Sequence, residues 1–270
     1  MKAAARAEAT TVQEPVLLSL RQDGITTLTL NRPRQYNALS EAMLDALLEA
    51  FDAVAKDAST RVVVIAANGP AFCAGHDLKE MRVRPDETYY RALFAKCGRM
   101  MQTITALPQP VIARVHGIAT AAGCQLVAAC DLAVASKEAR FATSGINVGL
   151  FCSTPAVALS RNVTRKQSFE MLMTGEFISA EEAVERGLVN HAVEAAALDQ
   201  EVAALAHKII AKSPVAVRVG KEMFYKQIEL GLADAYDYAG GVMACNMMAD
   251  DVAEGIDAFT AKRPARWTGR

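Results

Sequence analysis

Residues 111–131 read VIARVHGIATAAGCQLVAACD. The β-branched run Val111–Val115 predicts a strand, His116–Gly123 a turn spaced by glycines, and the apolar run after it a helix. Strand, tight loop and helix start in that order bring several N–H groups without helical partners to one point. The helix dipole adds partial positive charge there. Such a point can hold an oxygen that becomes negative during a reaction.

Upstream, Val16–Leu20 and Ile25–Leu30 predict two strands joined at Asp23-Gly24, a strong hairpin signal. Asn31-Arg32-Pro33 ends the second, because proline cannot continue a ladder. Ser40 is placed to cap a helix whose apolar positions Met43, Leu44, Leu47, Leu48, Phe51 and Val54 recur at helical spacing. Arg61–Ala67 reads as a buried strand, followed by a loop of small residues over Asn68–Asp77. Tyr89–Leu107 predicts a helix stopped by Pro108. Downstream come strands at Leu132–Ala135 and Arg140–Ala142, and from Thr164 the pattern is helical. Ser179 with Glu182 forms a capping-box pattern, and Ser213-Pro214 starts a further helix. The alternation of strands and helices predicts an α/β fold.

Composition narrows the classes. The chain has 270 residues, of which 52% are hydrophobic and 22% charged, within the range of ordinary globular proteins. A formal net charge of −1 supplies no general field for nucleic acid or an anionic membrane. No apolar run approaches the ~18–20 residues of a membrane span. The N-terminus lacks an apolar signal core, so residues 1–14 read as a flexible tail on a cytoplasmic protein, with an organelle such as the mitochondrial matrix as the alternative. The six cysteines show no C-x-x-C spacing, which points to reduced, mostly buried thiols rather than disulfides or a zinc site.

Three segments in this order and spacing resemble the crotonase (enoyl-CoA hydratase/isomerase) family: Leu30–Pro33 with Asn37-Ala38-Leu39, Ala71–Glu80, and His116–Gly123 running on to Cys130-Asp131. The resemblance continues through Gly175, Gly187-Leu188-Val189 and Gly255–Phe259 with Lys262-Arg263. It implies a spiral core of ββα units over 15–205 and a helical oligomerisation region over 206–270, giving a homotrimer or a hexamer of two trimers. It also implies an acyl-CoA ligand, with coenzyme A as part of the substrate and no permanently bound cofactor or metal. The oxyanion hole falls to the main-chain N–H groups of His76 and Ala122, where alanine at 122 keeps the donor but narrows the backbone angles. Ala38, Ala74, Asp77, Leu78, Lys79, Ser144, Asn147 and Cys152 are expected around the substrate, with Phe259 and Lys262 near a neighbour's coenzyme A.

The chain then departs from the family. The positions of the two hydratase glutamates are held by Gln125 and Gly145, and the aspartate of a dienoyl-CoA isomerase by Ser153. A glutamine amide does not ionise near neutral pH, and glycine offers no side chain. Restoring glutamate at both positions is expected to restore hydration if the scaffold still accepts them. The segment SGINVGLFCSTPAVALS resembles the enoyl-CoA hydratase domain-containing protein 3 group. His76 reads either as a structural histidine or as a base facing the acyl pocket, and His116 as structural. Asp77 and Glu80 read as helix N-terminal charges, and Cys152 as a small buried thiol. Arg32 or Arg34 is placed to meet coenzyme A phosphate or adenine. Gly145–Gly149 lacks the context of a nicotinamide fingerprint, which excludes NAD. Three functions remain: an enoyl-CoA hydratase or isomerase, a decarboxylase or hydrolase on another acyl-CoA, and a non-catalytic acyl-CoA binder.

Overall fold

The computed structural model describes residues 14–270; the expected tail, apart from Glu14, lies outside them. The chain opens with β1 (Leu17–Gln22), β2 (Ile25–Leu30) and α1 (Glu41–Lys56), then β3 (Val62–Ala67), β4 (Ala71–Cys73), α2 (Leu78–Val83) and α3 (Glu87–Ala106). The segment quoted above forms β5 (Val111–Val115), β6 (Ile118–Thr120) and α4 (Ala122–Ala129). Next come β7 (Leu132–Ser136), β8 (Arg140–Ala142), α5 (Ser153–Leu159) and α6 (Arg165–Thr174). The chain continues with β9 (Ile178–Ser179), α7 (Ala180–Glu185), β10 (His191–Val193), α8 (Leu198–Ile210), α9 (Pro214–Gln227), α10 (Leu232–Asn246) and α11 (Asp250–Thr260).

Successive strand pairs are shared between two sheets. One has the order β1-β2-β3-β5-β7-β10 and the other β4-β6-β8-β9. Three consecutive units thus give one strand to each sheet before turning into helix, which makes a ββα spiral. Strands β2, β3, β5, β7 and β10 run parallel; β1 is antiparallel to β2 across Asp23-Gly24, both at positive φ as a tight hairpin turn requires.

The centre of the larger sheet shows why it is buried on both faces. Val63 and Ile65 of β3 enter the main core with Leu44, Leu47 and Phe51 of α1. Val62 and Val64 face the other way, onto Leu198, Val202 and Ala206 of α8. Alternation at period two explains the unbroken apolar run. Ser40 accepts from Met43 N at 3.2 Å, and Ser179 with Glu182 completes both bonds of the capping box.

Some expectations are corrected. β4 and β6 lie where a loop and a turn were read, and they pair in parallel. β9 and β10 interrupt the region read as wholly helical. The boundary drawn at 205/206 falls inside α8, whose apolar face belongs to the core up to Ala206 and beyond. Five cysteines are buried and Cys245 is exposed, all as free thiols.

The C-terminal helices are anchored by buried charge. Lys221 of α9 donates to Asp131 Oδ2 at 2.6 Å and to the carbonyls of Ile104 and Gln109 at 2.8 and 2.9 Å. Tyr225 donates to Asp131 Oδ1 at 2.7 Å, and Val111 N to Oδ2 at 2.6 Å. All three ammonium protons are engaged, which is what makes such burial tolerable. α10, α11 and the turn between them leave Tyr236, Met243, Met248 and Phe259 exposed. No helix among the described residues is long and apolar enough to cross a membrane.

Candidate active site

A cavity of about 260 Å³ opens between the loop at Ala74–Leu78, the start of α4 and the segment 144–155. Its walls include Met81, Phe94, Val148, Leu150 and Phe151. Lining it from two sides are His76 and Ala122.

Close backbone approach builds this arrangement. Gly75, at φ +89°, lies where a Cβ would come 2.9 Å from Ala121 Cβ and 3.1 Å from Ala122 N. A Cβ on Gly123 would come 2.0 Å from the Cys73 carbonyl oxygen, so the first turn of α4 packs directly on β4. The Gly75 carbonyl is fixed by Leu39 N at 2.8 Å. Only glycine permits both approaches. Ala122 begins α4, so its N–H has no helical acceptor. Among the described residues neither the His76 nor the Ala122 N–H has a hydrogen-bond partner.

Strain sits one residue earlier than expected. Ala121, the N-cap of α4, has φ 50° and ψ −122°, while Ala122 is helical. A non-glycine residue in that region costs about 1–3 kcal/mol and persists only where its surroundings enforce it. Here Ala121 N is held by the Ala142 carbonyl at 3.0 Å.

The two substituted positions behave differently. Gln125 is buried at 4% exposure, and its Oε1 has no partner among the described residues. It is not in the cavity wall. Gly145 is in the wall, and a Cβ there would stand 2.5 Å from the Leu150 carbonyl oxygen and 2.8 Å from Cys152 Sγ. A side chain there requires the Leu150 main chain to shift, which weighs against restoring glutamate at 145.

Of the other expected residues, Ala74, Leu78, Ser144, Cys152 and Ser153 line the cavity. Ser144 Oγ lies 2.7 Å from Thr120 Oγ1. Burial pushes the Cys152 thiol up, opposed by the Gly145 main chain, so it is no thiolate nucleophile. Asn147 turns away and donates to the Gly175 carbonyl at 3.3 Å. Ala38, Asp77 and Lys79 also lie outside the wall. Asp77 caps α2 through Lys79 N and Glu80 N and pairs with Arg32 at 3.2 Å, while Glu80 accepts from Glu41 N at 3.0 Å. With that pairing and a bond to the Ala38 carbonyl, Arg32 is committed to holding the loop. Phe259 and Lys262 are exposed and line no part of this cavity within one chain.

Met81, Phe94 and the Val148–Phe151 run went unread as site residues. The first two sit at helical spacing that reads as ordinary core. The run Val148, Leu150 and Phe151 carried a signal, since exposed apolar residues in a non-periodic segment mark a binding surface. His76 is neutral near pH 7: burial lowers its pKa, opposed by the Leu39 main chain. His116 Nε2 lies 2.8 Å from the Gly69 carbonyl oxygen and so ties two loops, the structural role expected for it.

The profile of the family described as enoyl-CoA hydratase/isomerase matches residues 20–270. An enoyl-CoA hydratase structure from Mycobacterium smegmatis is 62% identical with a TM-score of 0.93, covering 94% of this chain and 99% of that one. The structure of human enoyl coenzyme A hydratase domain-containing protein 3 is 46% identical with a TM-score of 0.91, covering 93% and 100%. The mitochondrial protein of that name from Rattus norvegicus is 48% identical over 256 residues, 94% of this chain and 85% of its own. With that extent of sequence, the two-sheet spiral and the matching coordinates, the chain belongs to the enoyl-CoA hydratase/isomerase (crotonase) family.

Proposed function

We propose that this chain is an enoyl-CoA hydratase-like enzyme that acts on coenzyme A thioesters of uncharged acyl groups and holds the thioester oxygen with the N–H groups of His76 and Ala122. What supports this reading is that His76 and Ala122, whose main-chain N–H groups have no partner among the described residues, both line one largely apolar cavity. A thioester enolate carries its charge on that oxygen, and each aimed donor contributes roughly 100- to 1000-fold in rate. The α4 dipole adds to the same point.

Carbonyl polarisation is then the main contribution, because Gln125 and Gly145 supply no ionisable group. A positioned acid or base contributes roughly 100- to 10,000-fold, so hydration by this chain is slow beside that of a two-glutamate relative. Among the described residues no Lys or Arg lines the cavity to receive a second carboxylate, which favours an enoyl or acyl substrate over a malonyl one. The missing carboxylate pair favours one alternative, an acyl-CoA binder without turnover.

Coenzyme A enters as part of the substrate, and no permanent cofactor is invoked. The apolar residues left open on α10 and α11 support a trimer, or two trimers stacked, in which Phe259 and Lys262 approach a neighbour's coenzyme A. The compartment inferred is one that holds acyl-CoA: the cytoplasm, or the mitochondrial matrix, the rat relative being named as mitochondrial.

The test is incubation with crotonyl-CoA and longer enoyl-CoAs, followed by loss of enoyl absorbance, alongside equilibrium binding of butyryl-CoA. Turnover above buffer supports the enzyme. Binding without turnover of any member selects the binder. A folded protein that binds no acyl-CoA sinks both.

A further inference from the structure

The larger sheet carries a second hollow, on the face that α8 packs against. Leu28 and Leu30 of β2 point into the main core, so by alternation Ile25, Thr27 and Thr29 point the other way. On that face α8 covers Val62, Val64 and Ile112. Beside its first two turns a groove of about 520 Å³ stays open. The floor is apolar, with Ile25, Val64, Ala66 and Ala67 from the sheet and Val202 and Ala203 from α8. Register sets the rest of the lining. Thr29 pairs with Ala66, and Ile65 with Ala113, so Thr29 and Arg114 stand on either side of Ala66, about 10 Å apart across two strand spacings.

The polar groups of the groove are mostly uncommitted. Arg114 donates from Nε to Asp199 Oδ1 at 2.5 Å, and neither of its Nη groups has a partner among the described residues. Thr26, on the opposite face, is bonded to Thr60 at 2.7 Å, whereas the Thr27 and Thr29 hydroxyls have no such partner. Asp199 is mostly exposed and engages only one edge of the guanidinium. A planar guanidinium receives a carboxylate through two parallel N–H···O bonds. Water serves these donors as well, but it does not satisfy the apolar floor. A doubly charged phosphate would meet Asp199 at close range, and a cation would meet Arg114. A carboxylate on a hydrocarbon chain suits the open guanidinium, the hydroxyls and the floor together.

We propose that this groove is a second binding site, for an aliphatic monocarboxylate, with Arg114 anchoring the carboxylate and the floor between β3 and α8 receiving the chain. The inference is independent of the acyl-CoA reading, because none of these residues lines the cavity at His76 and Ala122. The experiment is calorimetric titration of the full chain with octanoate and with octylammonium, which has the same chain and the opposite charge. Octanoate is expected to bind and octylammonium to bind at least tenfold more weakly. Arg114→Met, folded by thermal melt, is expected to lose roughly tenfold or more in octanoate affinity, the worth of one charge-assisted hydrogen bond. Should that variant not fold, Arg114→Lys keeps the charge without the planar fork and is expected to weaken octanoate severalfold. Asp199→Asn removes the competing carboxylate and is expected to bind octanoate at least as tightly as the wild type. Four results overturn the inference: no octanoate binding to the wild type, equal affinity for octylammonium, unchanged affinity in the folded Arg114 variant, or weaker binding in Asp199→Asn.

Discussion

Gly75 is packed against Ala122 so closely that a Cβ on the first would stand 3.1 Å from the main-chain nitrogen of the second. The loop after β4 and the start of α4 therefore hold each other, and the two open N–H groups are positioned by this contact rather than by any side chain. Gly75→Ala meets both the positive φ and the contact. Together these cost about 2–5 kcal/mol. A melting temperature lowered by several degrees, with acyl-CoA affinity reduced at least tenfold, is the expected result by calorimetry and equilibrium binding.

Ala121 gives the opposite expectation. Its φ of 50° with ψ of −122° suits glycine. Ala121→Gly relieves the strain and loses some unfolded-state restriction, for a net gain of about 1 kcal/mol. Thermal unfolding checks it through a rise of roughly 2–4 °C. A fall would mean that the Cβ packing on Gly75 outweighs the strain.

Gly145→Glu is expected to abolish acyl-CoA binding rather than create a hydratase, alone or with Gln125→Glu. The new Cβ would collide with the Leu150 carbonyl and Cys152 Sγ and displace the wall between them. Overpacking of this kind costs about 1–3 kcal/mol before a buried carboxylate is counted. Binding and enoyl hydration measured on the folded double variant decide the matter.

The crowding at Gly145 shows what a sequence can and cannot carry. Val62–Ala67 announces a strand buried on both faces, and Asp23-Gly24, Ser40 and the Ser179–Glu182 pair announce their local structures, because each depends on nearest neighbours alone. The Gly-spaced turn at 116–123 points to the site for the same reason. β4 and β6 are invisible alone: each is three residues long, and they are strands only because β6 lies between β4 and β8. The space around Gly145 is set by residues 150 and 152 folding back, and the cavity wall at Phe94 and Met81 comes from separate helices. Such facts are tertiary, and helical spacing gives no hint of them.

Asp251 sets the acid response. Burial raises its pKa, and donation from Ser213 Oγ and from the main and side chains of Thr268 and Gly269 N outweighs it, holding the carboxylate below its ordinary range. A group depressed in the folded state stabilises above its unfolded pKa and ceases to do so as pH falls through the folded one. Stability is therefore expected to decline below about pH 4, with release of the terminal segment that carries Thr268 and Gly269. Asp251→Asn is expected to lower neutral-pH stability by about 2–4 kcal/mol and flatten the acid limb. Urea unfolding of both proteins from pH 3 to 7 measures the difference.

The decisive measurement for the N–H pair is a crystal structure of the full chain with butyryl-CoA bound. The thioester oxygen is expected about 2.7–3.1 Å from the main-chain nitrogens of both His76 and Ala122, with the acyl chain directed toward Phe94 and Phe151. An oxygen held by neither amide, or the acyl group seated outside this cavity, would contradict the account.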